Sequence, residues 1–185
     1  MLIWLAGAGA AEGKYFQNRL TLPDFPGFEV FVQDPKVNDV KAQKVKEKRW
    51  SLTEKPHGKT TTYLLVSPQR NLWVLISELH TPYGGKKPLE LKKFEDEFVT
   101  RIAGTSATLG NKTTLKAKYA GNVGYYYLTD KEKKHGARLL YIPGAENGNY
   151  GDKRAYAIAV THTASSSDQA KALLRKILDN VKVSK

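Results

Sequence analysis

Most of this sequence consists of short runs that favour β-strands, separated by residues that favour tight turns. The runs are rich in Val, Thr, Tyr, Trp and Leu, which pack well on a pleated surface. In chain order they are FEVFVQ, KVKEKRWSLT, TTTYLLVS, LWVLISEL, TTLKAKYAG, VGYYYLTD, ARLLYIPG and KRAYAIAVTHT. The connections EKPHGK, PQRN and AENGNYGD are rich in Gly, Pro and Asn, as hairpin turns are. Strands joined in this way are antiparallel.

Two stretches have the spacing of an amphipathic helix instead of a strand. The first apolar stripe consists of Leu91, Phe94, Phe98, Val99 and Ile102. The second stripe follows the run ASSSD, which is typical of a helix cap, and consists of Ala170, Leu173, Leu174, Ile177, Leu178 and Val181. The predicted fold class is therefore α+β, a mainly antiparallel meander of strands covered by two helices. We expect residues 14–185 to form one domain of this kind.

The last predicted strand alternates small and bulky side chains. Its small residues are Ala155, Ala157 and Ala159, and its bulky residues are Tyr156, Ile158 and Val160. Successive side chains of a strand point to opposite faces, so one face of this strand is small. The pattern predicts that the C-terminal helix approaches the sheet on the alanine side. Upstream, the prolines between residues 15 and 35 forbid a long helix and leave room for one strand, FEVFVQ.

The opening run MLIWLAGAGAAEG has two possible interpretations. One is a strand and glycine turn for a dinucleotide, with Gly7 and Gly9 in the required relation and Asp34 at a ribose-binding distance. The third glycine of that motif falls on Glu12 instead, and the hairpins downstream do not supply the strand–helix–strand crossovers that the fold needs. The residue pattern therefore disfavours nucleotide binding.

The other interpretation is an export signal. Small residues follow a short apolar stretch, as a signal peptidase prefers, but no basic residue precedes Leu2. We expect residues 1–13 to be a truncated or atypical signal peptide, or alternatively an N-terminal arm. The first option predicts a secreted or periplasmic protein, and a cytoplasmic location is the alternative. No window reaches the roughly 18 consecutive apolar residues that span a bilayer.

The residues that carry common catalytic chemistry are scarce. Cysteine is absent, which excludes disulfides, thiol nucleophiles and cysteine-based metal centres. No nucleophile elbow or paired-carboxylate motif occurs, so we expect no enzyme activity, no catalytic residues and no cofactor. A weak candidate for a metal or acid–base site consists of Glu78, His80 and His162, because both histidines end predicted strands.

The charge of the chain is its most informative bulk property. The formal net charge is +12, and such a surplus attracts acidic proteins, nucleic acids or anionic surfaces. Residues 36–59 contain eight Lys or Arg residues and three acidic ones. Candidate residues for anion or partner binding there are Lys44, Lys46, Lys48, Arg49 and Trp50. Downstream, Tyr125 and Tyr127 should share one face of a strand and Tyr126 the other, where either face could line a groove.

From about residue 28 onward, the order of elements resembles the PsbP-like superfamily. The segments that carry this resemblance are FEVFVQ, LWVLISELH, LELKKFEDEFV, GYYYLTD, RLLYIPG and AYAIAVTHTASSSDQAKALLRKILDNVKV. The family includes the photosystem II extrinsic protein PsbP, bacterial DcrB-like proteins and a Ran-binding nuclear-import factor, all α/β/α sandwiches. The resemblance implies a non-catalytic accessory module, often exported, that binds a macromolecular partner. It transfers no site residue to this chain.

Three functions are therefore expected, in order. The first is a non-catalytic, exported accessory module that engages a macromolecular partner, which the resemblance implies. The second is polyanion binding through the basic face of residues 36–59. The third is hydrolytic or metal chemistry at His80 and His162.

Overall fold

The computed structural model describes residues 13–33, 62–81, 107–109, 113–130, 134–147 and 152–184. The strands are β1 (Gly13–Tyr15), β2 (Leu20–Leu22), β3 (Glu29–Gln33), β4 (Thr62–Val66), β5 (Leu72–Thr81), β6 (Ala107–Leu109), β7 (Thr113–Ala117), β8 (Gly121–Asp130), β9 (His135–Asn147), β10 (Asp152–Thr163) and β11 (Lys182–Val183). A 3₁₀ turn (Ala164–Ser166) leads into the helix α1 (Ser167–Asn180). No helix in these ranges is long and apolar enough to cross a membrane.

Eight strands form the main sheet, in the order β3-β4-β5-β10-β9-β8-β6, with β7 also paired to β8. Every described pair of strands is antiparallel, as the hairpin turns predict. The order departs from a simple meander because β10, the last long strand, lies between β5 and β9. The sequence LWVLIS of β5 is apolar on both faces, as is typical of a strand in the interior of a sheet, and β5 lies between β4 and β10.

A second, three-stranded sheet has the order β1-β2-β11. The expectation of a single strand between residues 15 and 35 is therefore wrong, because β2 lies there as well as β3. Strands of two or three residues are too short for an alternating pattern to stand out in the sequence. Here they are stabilised by tertiary packing, since Leu20 and Leu22 are fully buried against the main sheet.

The main hydrophobic core lies between one face of the main sheet and a layer made of α1 and the three-stranded sheet. From α1 it takes the residues Ala170, Leu174, Ile177 and Leu178, and Val181 follows at the end of the helix. The apolar stripe of the C-terminal helix is thus confirmed. Across from it are Ile158 and Val160 of β10 and Val74 and Ile76 of β5.

The predicted orientation of β10 is wrong. Its bulky residues, and not its alanines, face α1, since Tyr156, Ile158 and Val160 belong to the core that the helix covers. Ala157 and Ala159 lie on the opposite face, buried with residues of β8 and β9. The sequence shows that the two faces differ in size but not which face the helix covers, because both faces of this strand are buried.

The opposite face of the main sheet is apolar and buried as well, with Trp73, Leu128 and Leu139 among its residues. The helix expected over 91–102 lies outside the described residues. One α-helix is present in the described part of the chain, so cover by two helices stays a prediction. The opposite sides expected for Tyr125 and Tyr126 are confirmed, because the first packs against the helix-covered core and the second against the other face.

Candidate functional site

The structure does not bring Glu78, His80 and His162 together. Glu78 lies opposite Tyr156 in the β5–β10 ladder, whereas His162 lies opposite Leu72, six residues away along β5. Six residues of a strand span about 20 Å. His80 is close to Glu78 in sequence and sits opposite Arg154. Within the described ranges, no group of three or more His, Cys, Asp or Glu residues could hold a metal ion.

Glu78 belongs to a buried ionic group that we call the Glu78 cluster, with Arg19 and Arg154. Its carboxylate accepts two hydrogen bonds from Arg19, at 3.0 Å from Nε and 3.1 Å from Nη2. Arg154 Nη1 donates a third at 3.2 Å. The two guanidinium groups compensate the charge of a residue that is only 7% exposed, as a buried carboxylate requires.

Arg19 reaches the cluster from an unusual turn between β1 and β2. Phe16, Gln17 and Asn18 have φ values of 53°, 58° and 67°, the left-handed region that costs non-glycine residues about 1 kcal/mol or more each. The ring of Phe16 is buried between Tyr63 and Tyr156, which offsets this cost. The turn therefore joins the three-stranded sheet to the main sheet through an aromatic and an ionic contact.

The Glu78 cluster is suited to structural support and not to proton transfer. Both carboxylate oxygens accept hydrogen bonds from guanidinium groups, and the bond to Glu78 raises the pKa of Arg19 further. Burial, and then the charge of Glu78, raises the pKa of Tyr156 to about 12.

A second polar group, which we call the Arg138 cluster, lies toward the opposite end of the same face. Arg138 Nη1 donates to the hydroxyl of Tyr125 at 2.8 Å, and Nη2 donates to Ser167 Oγ at 3.3 Å. The guanidinium carbon lies 4.5 Å from the ring centroid of Tyr127, a cation–π contact. Arg138 is only 8% exposed, and no carboxylate of the described residues pairs with it.

His162 completes this end of the face. Its ring lies 6.3 Å from that of Tyr127 in a stacked arrangement, and its Nδ1 lies 2.8 Å from the carbonyl oxygen of Thr163. Because a carbonyl only accepts, Nδ1 carries the proton, and the buried Nε2 has no hydrogen-bond partner. Burial lowers the pKa of His162, and the charge of Arg138 lowers it further.

The His162 ring fits only because its cross-strand neighbour is Gly136. A Cβ atom at Gly136 would lie 2.7 Å from both Cε1 and Nε2 of His162 and 3.1 Å from the hydroxyl of Tyr127. Contacts below 3.0 Å force one group to move. The glycine therefore fixes the position of the histidine.

The run ASSSD starts the C-terminal helix as predicted, with Ser166 at the N-cap position. Its side chain makes no cap hydrogen bond, and Ser166 Oγ lies 3.0 Å from Thr163 Oγ1 instead. The reason is that the 3₁₀ turn before α1 directs the hydroxyl back toward β10.

A third feature is an exposed basic surface centred on Tyr119, which we call the Tyr119 patch. Tyr119 is 53% exposed in the turn between β7 and β8. The ammonium groups of Lys118 and Lys182 lie 5.0 and 5.3 Å from its ring centroid. Lys14 and Lys182 both lie opposite Thr21 in the three-stranded sheet, so their side chains share its outer face, with Cα atoms about 10 Å apart.

The candidate residues Lys44, Lys46, Lys48, Arg49 and Trp50 lie outside the described residues. Arg19, Arg138, Arg154 and Tyr119 were not identified from the sequence. Arg138 interrupts an otherwise apolar strand sequence, ARLLYI, and a charge in such a run is a signal that could have identified it. Arg154 follows Lys153 at the charged start of KRAYAIAV and gives no such signal.

No family model matches the chain, and no curated protein matches it in sequence. Among solved structures, its fold is similar to the solution structure of cyanobacterial PsbP (CyanoP) from Synechocystis sp. PCC 6803. The similarity has a TM-score of 0.56, covers 100% of this chain and 98% of that one, and accompanies 10% sequence identity. The chain therefore has a PsbP-like fold, and the resemblance drawn from its sequence pattern is confirmed at the level of the fold.

Proposed function

We propose that this chain is a non-catalytic accessory module that binds an acidic macromolecular partner through the Tyr119 patch. The PsbP-like fold supports the accessory role, because the family resemblance implies binding modules without catalysis. The observation that carries the choice of surface is the exposed ring of Tyr119 with two ammonium groups within 5.3 Å of its centroid.

The patch combines the two properties that a polar binding surface needs. Tyr119 supplies a large and rigid contact area at small entropic cost, and exposed tyrosines are enriched in binding interfaces. Lys14, Lys118 and Lys182 are exposed and supply positive charge that steers an acidic partner into place.

The backbone beneath the patch is fixed in place, so little order has to be gained on binding. The amide of Lys118 donates to the carbonyl oxygen of Leu178 at 2.9 Å, which attaches the β7–β8 turn to α1. On the other side, the amide of Ser184 donates to the carbonyl oxygen of Arg19 at 2.9 Å and holds the end of β11.

The test compares two charge reversals of equal size. Lys14→Glu/Lys182→Glu changes the patch, whereas Lys171→Glu/Arg175→Glu changes the exposed face of α1. Polyglutamate serves as the acidic probe, titrated at 50 and 200 mM salt. We expect the patch variant to lose about tenfold in affinity and the helix variant about twofold. Charges farther from the bound probe than the Debye length of about 10 Å are largely screened, so only the charges of the patch act on it strongly. Equal losses of affinity in the two variants, or an affinity that does not change between the two salt concentrations, would contradict the proposal.

A second candidate function is the binding of a nucleic acid or anionic surface by residues 36–59, supported by their excess of basic residues. We propose a comparison of Lys44→Glu/Lys46→Glu/Lys48→Glu with the patch variant in heparin and DNA titrations at the same two salt concentrations. A salt-dependent loss in the first variant that exceeds the loss in the patch variant supports this function. The reverse order excludes it.

We also propose that the protein is exported, which the apolar and small residues of its first 13 positions support. The mass of the mature protein tests this, with loss of the opening run as the expected result. A full-length chain recovered from the cytoplasm would contradict it.

A further inference from the structure

We propose that Arg138 forms the floor of a binding site for a phosphate or sulphate group at the N-terminal end of α1. The site consists of the guanidinium of Arg138, the hydroxyls of Tyr125 and Ser167, and the positive end of the helix dipole. It lies on a different part of the molecule from the Tyr119 patch and does not depend on the function proposed for that patch.

Arg138 is a buried cation without a carboxylate partner among the described residues. The residue is only 8% exposed, and within the described ranges its guanidinium contacts only hydroxyls and an aromatic ring. Its Nε is buried without a hydrogen-bond partner. Buried charges in proteins are almost always paired, so a buried cation that meets no carboxylate among the described residues can accommodate a bound anion.

The arginines of the Glu78 cluster differ from Arg138 in this respect. Arg19 and Arg154, both less buried than Arg138, each contact the carboxylate of Glu78 at 3.0–3.2 Å. The carboxylate nearest in sequence to the helix start is Asp168, but its side chain is 95% exposed and pairs with Lys171 at 3.1 Å. The chain therefore does not supply the counter-charge from α1.

The hydrogen bonds of Arg138 all run in one direction. A guanidinium can only donate, so the hydroxyls of Tyr125 and Ser167 both accept from Arg138. Their own protons consequently point away from the guanidinium and are available to a further acceptor. Two hydroxyl donors that are polarised by one buried cation suit a group with several oxygen acceptors.

Ser167, which accepts from Arg138, is the first residue of α1. The N-terminal end of a helix carries a partial positive charge that favours anions. Ser166, at the N-cap, makes no side-chain cap hydrogen bond. The guanidinium of Arg138 and the partial positive charge of the helix end repel each other. An oxyanion bound between them would interact favourably with both.

The side chains around Arg138 and His162 add further positive charge, and the first-turn carboxylate of Asp168 pairs with Lys171 instead of Arg138. The charges of Arg138, His135 and Lys171 all act against protonation of His162. The ring of Tyr127 covers one side of the guanidinium at 4.5 Å. The hydroxyls of Tyr125 and Ser167 accept from the two terminal nitrogens of Arg138, so the proposed anion lies beside these hydroxyls.

The test is a titration of the full chain with inorganic phosphate, against sodium chloride at equal ionic strength, followed by NMR shifts of the backbone amides of residues 166–169. We expect saturable shifts in phosphate. Arg138→Met should weaken binding at least about tenfold, and Ser167→Ala about threefold. Arg175→Met removes an exposed arginine of the same helix and should leave the affinity unchanged.

Acetylated phosphoserine amide forms a second arm of the titration. Affinity equal to that of inorganic phosphate indicates a site for the free ion, and tighter binding indicates a phosphorylated side chain as its source. The proposal is overturned if neither probe gives saturable shifts, or if Arg138→Met and Ser167→Ala bind as the wild type does. Ser167→Ala changes a partly exposed hydroxyl, so this variant keeps the test valid if Arg138→Met fails to fold.

Discussion

The two ends of the helix-covered face carry arginines in opposite electrostatic situations. At one end, Arg19 and Arg154 compensate the buried carboxylate of Glu78. At the other, Arg138 is more deeply buried but meets hydroxyls and the ring of Tyr127. Both clusters belong to strands of the same sheet and are about 15 Å apart along β10.

This difference separates a structural role from a binding role. In the Glu78 cluster both arginines contact a carboxylate, and these contacts join the β1–β2 turn to β5 and β10. The Arg138 cluster leaves a cation and two hydroxyl protons without a final acceptor among the described residues. Loss of a group should therefore destabilise the first cluster, whereas addition of an anion should stabilise the second.

The largest effect is expected for Glu78→Ala, which leaves the two arginines of its cluster without their carboxylate. The free energy of unfolding should fall by about 3–5 kcal/mol, as when one partner of a buried ion pair is removed. Asp179→Ala is the control, because its carboxylate belongs to an exposed pair with Arg175 at 3.3 Å and should change stability by about 0.5 kcal/mol or less. Chemical denaturation measures both. Equal effects would show that the Glu78 cluster gives no structural support.

A smaller loss is expected for Gly136→Ala. The new methyl would lie 2.7 Å from the His162 ring, and overpacking of this kind costs about 1–3 kcal/mol. A double-mutant cycle with His162→Ala provides the check, because the alanine at 136 should cost less once the ring is absent. Additive effects in the cycle would refute the contact as the cause.

The smallest effect is the pH dependence that His162 contributes. Burial lowers its folded-state pKa below the ordinary value of 6.5, so the unfolded chain binds the proton more readily. Stability should therefore fall as the pH drops below 6.5, by at most about 1.4 kcal/mol per pH unit. Arg138 and His135 on β9, Lys171 on α1 and Tyr127 on β8 surround the ring.

His162→Gln isolates this contribution, since the other three histidines are retained. The free energies of unfolding at pH 7.5 and pH 5.5 should differ less in the variant than in the wild type. A variant with the same pH dependence as the wild type would show that His162 protonates normally in the fold.

The parts of the fold that could be predicted from the sequence are those with long periodic patterns. The strands β8 to β10 and the stripe of α1 fall where alternation and helical spacing indicate. The three-stranded sheet was missed because strands of two or three residues have no detectable period. The side of β10 that faces α1 was predicted wrongly because its alanines are buried on the other face.

The polar clusters could not be predicted from the sequence, for a different reason. Arg19 and Glu78 are 59 residues apart, and their contact depends on a left-handed turn at Phe16, Gln17 and Asn18. No glycine signals that turn, and the burial of Phe16 is what makes it tolerable. Arg138 could have been noticed as a charge in an apolar run, but its lack of a carboxylate is visible only in three dimensions.

The most direct test of the contrast between the two ends is the stability of Arg19→Met beside that of Arg138→Met, both in phosphate-free buffer. The first removes the two charge-assisted hydrogen bonds that Arg19 donates to Glu78 and should cost about 3 kcal/mol, although Arg154 still pairs with the carboxylate. The second removes a cation that lacks a partner charge and should cost about 1 kcal/mol or less. A loss for Arg138→Met as large as that for Arg19→Met would contradict the account.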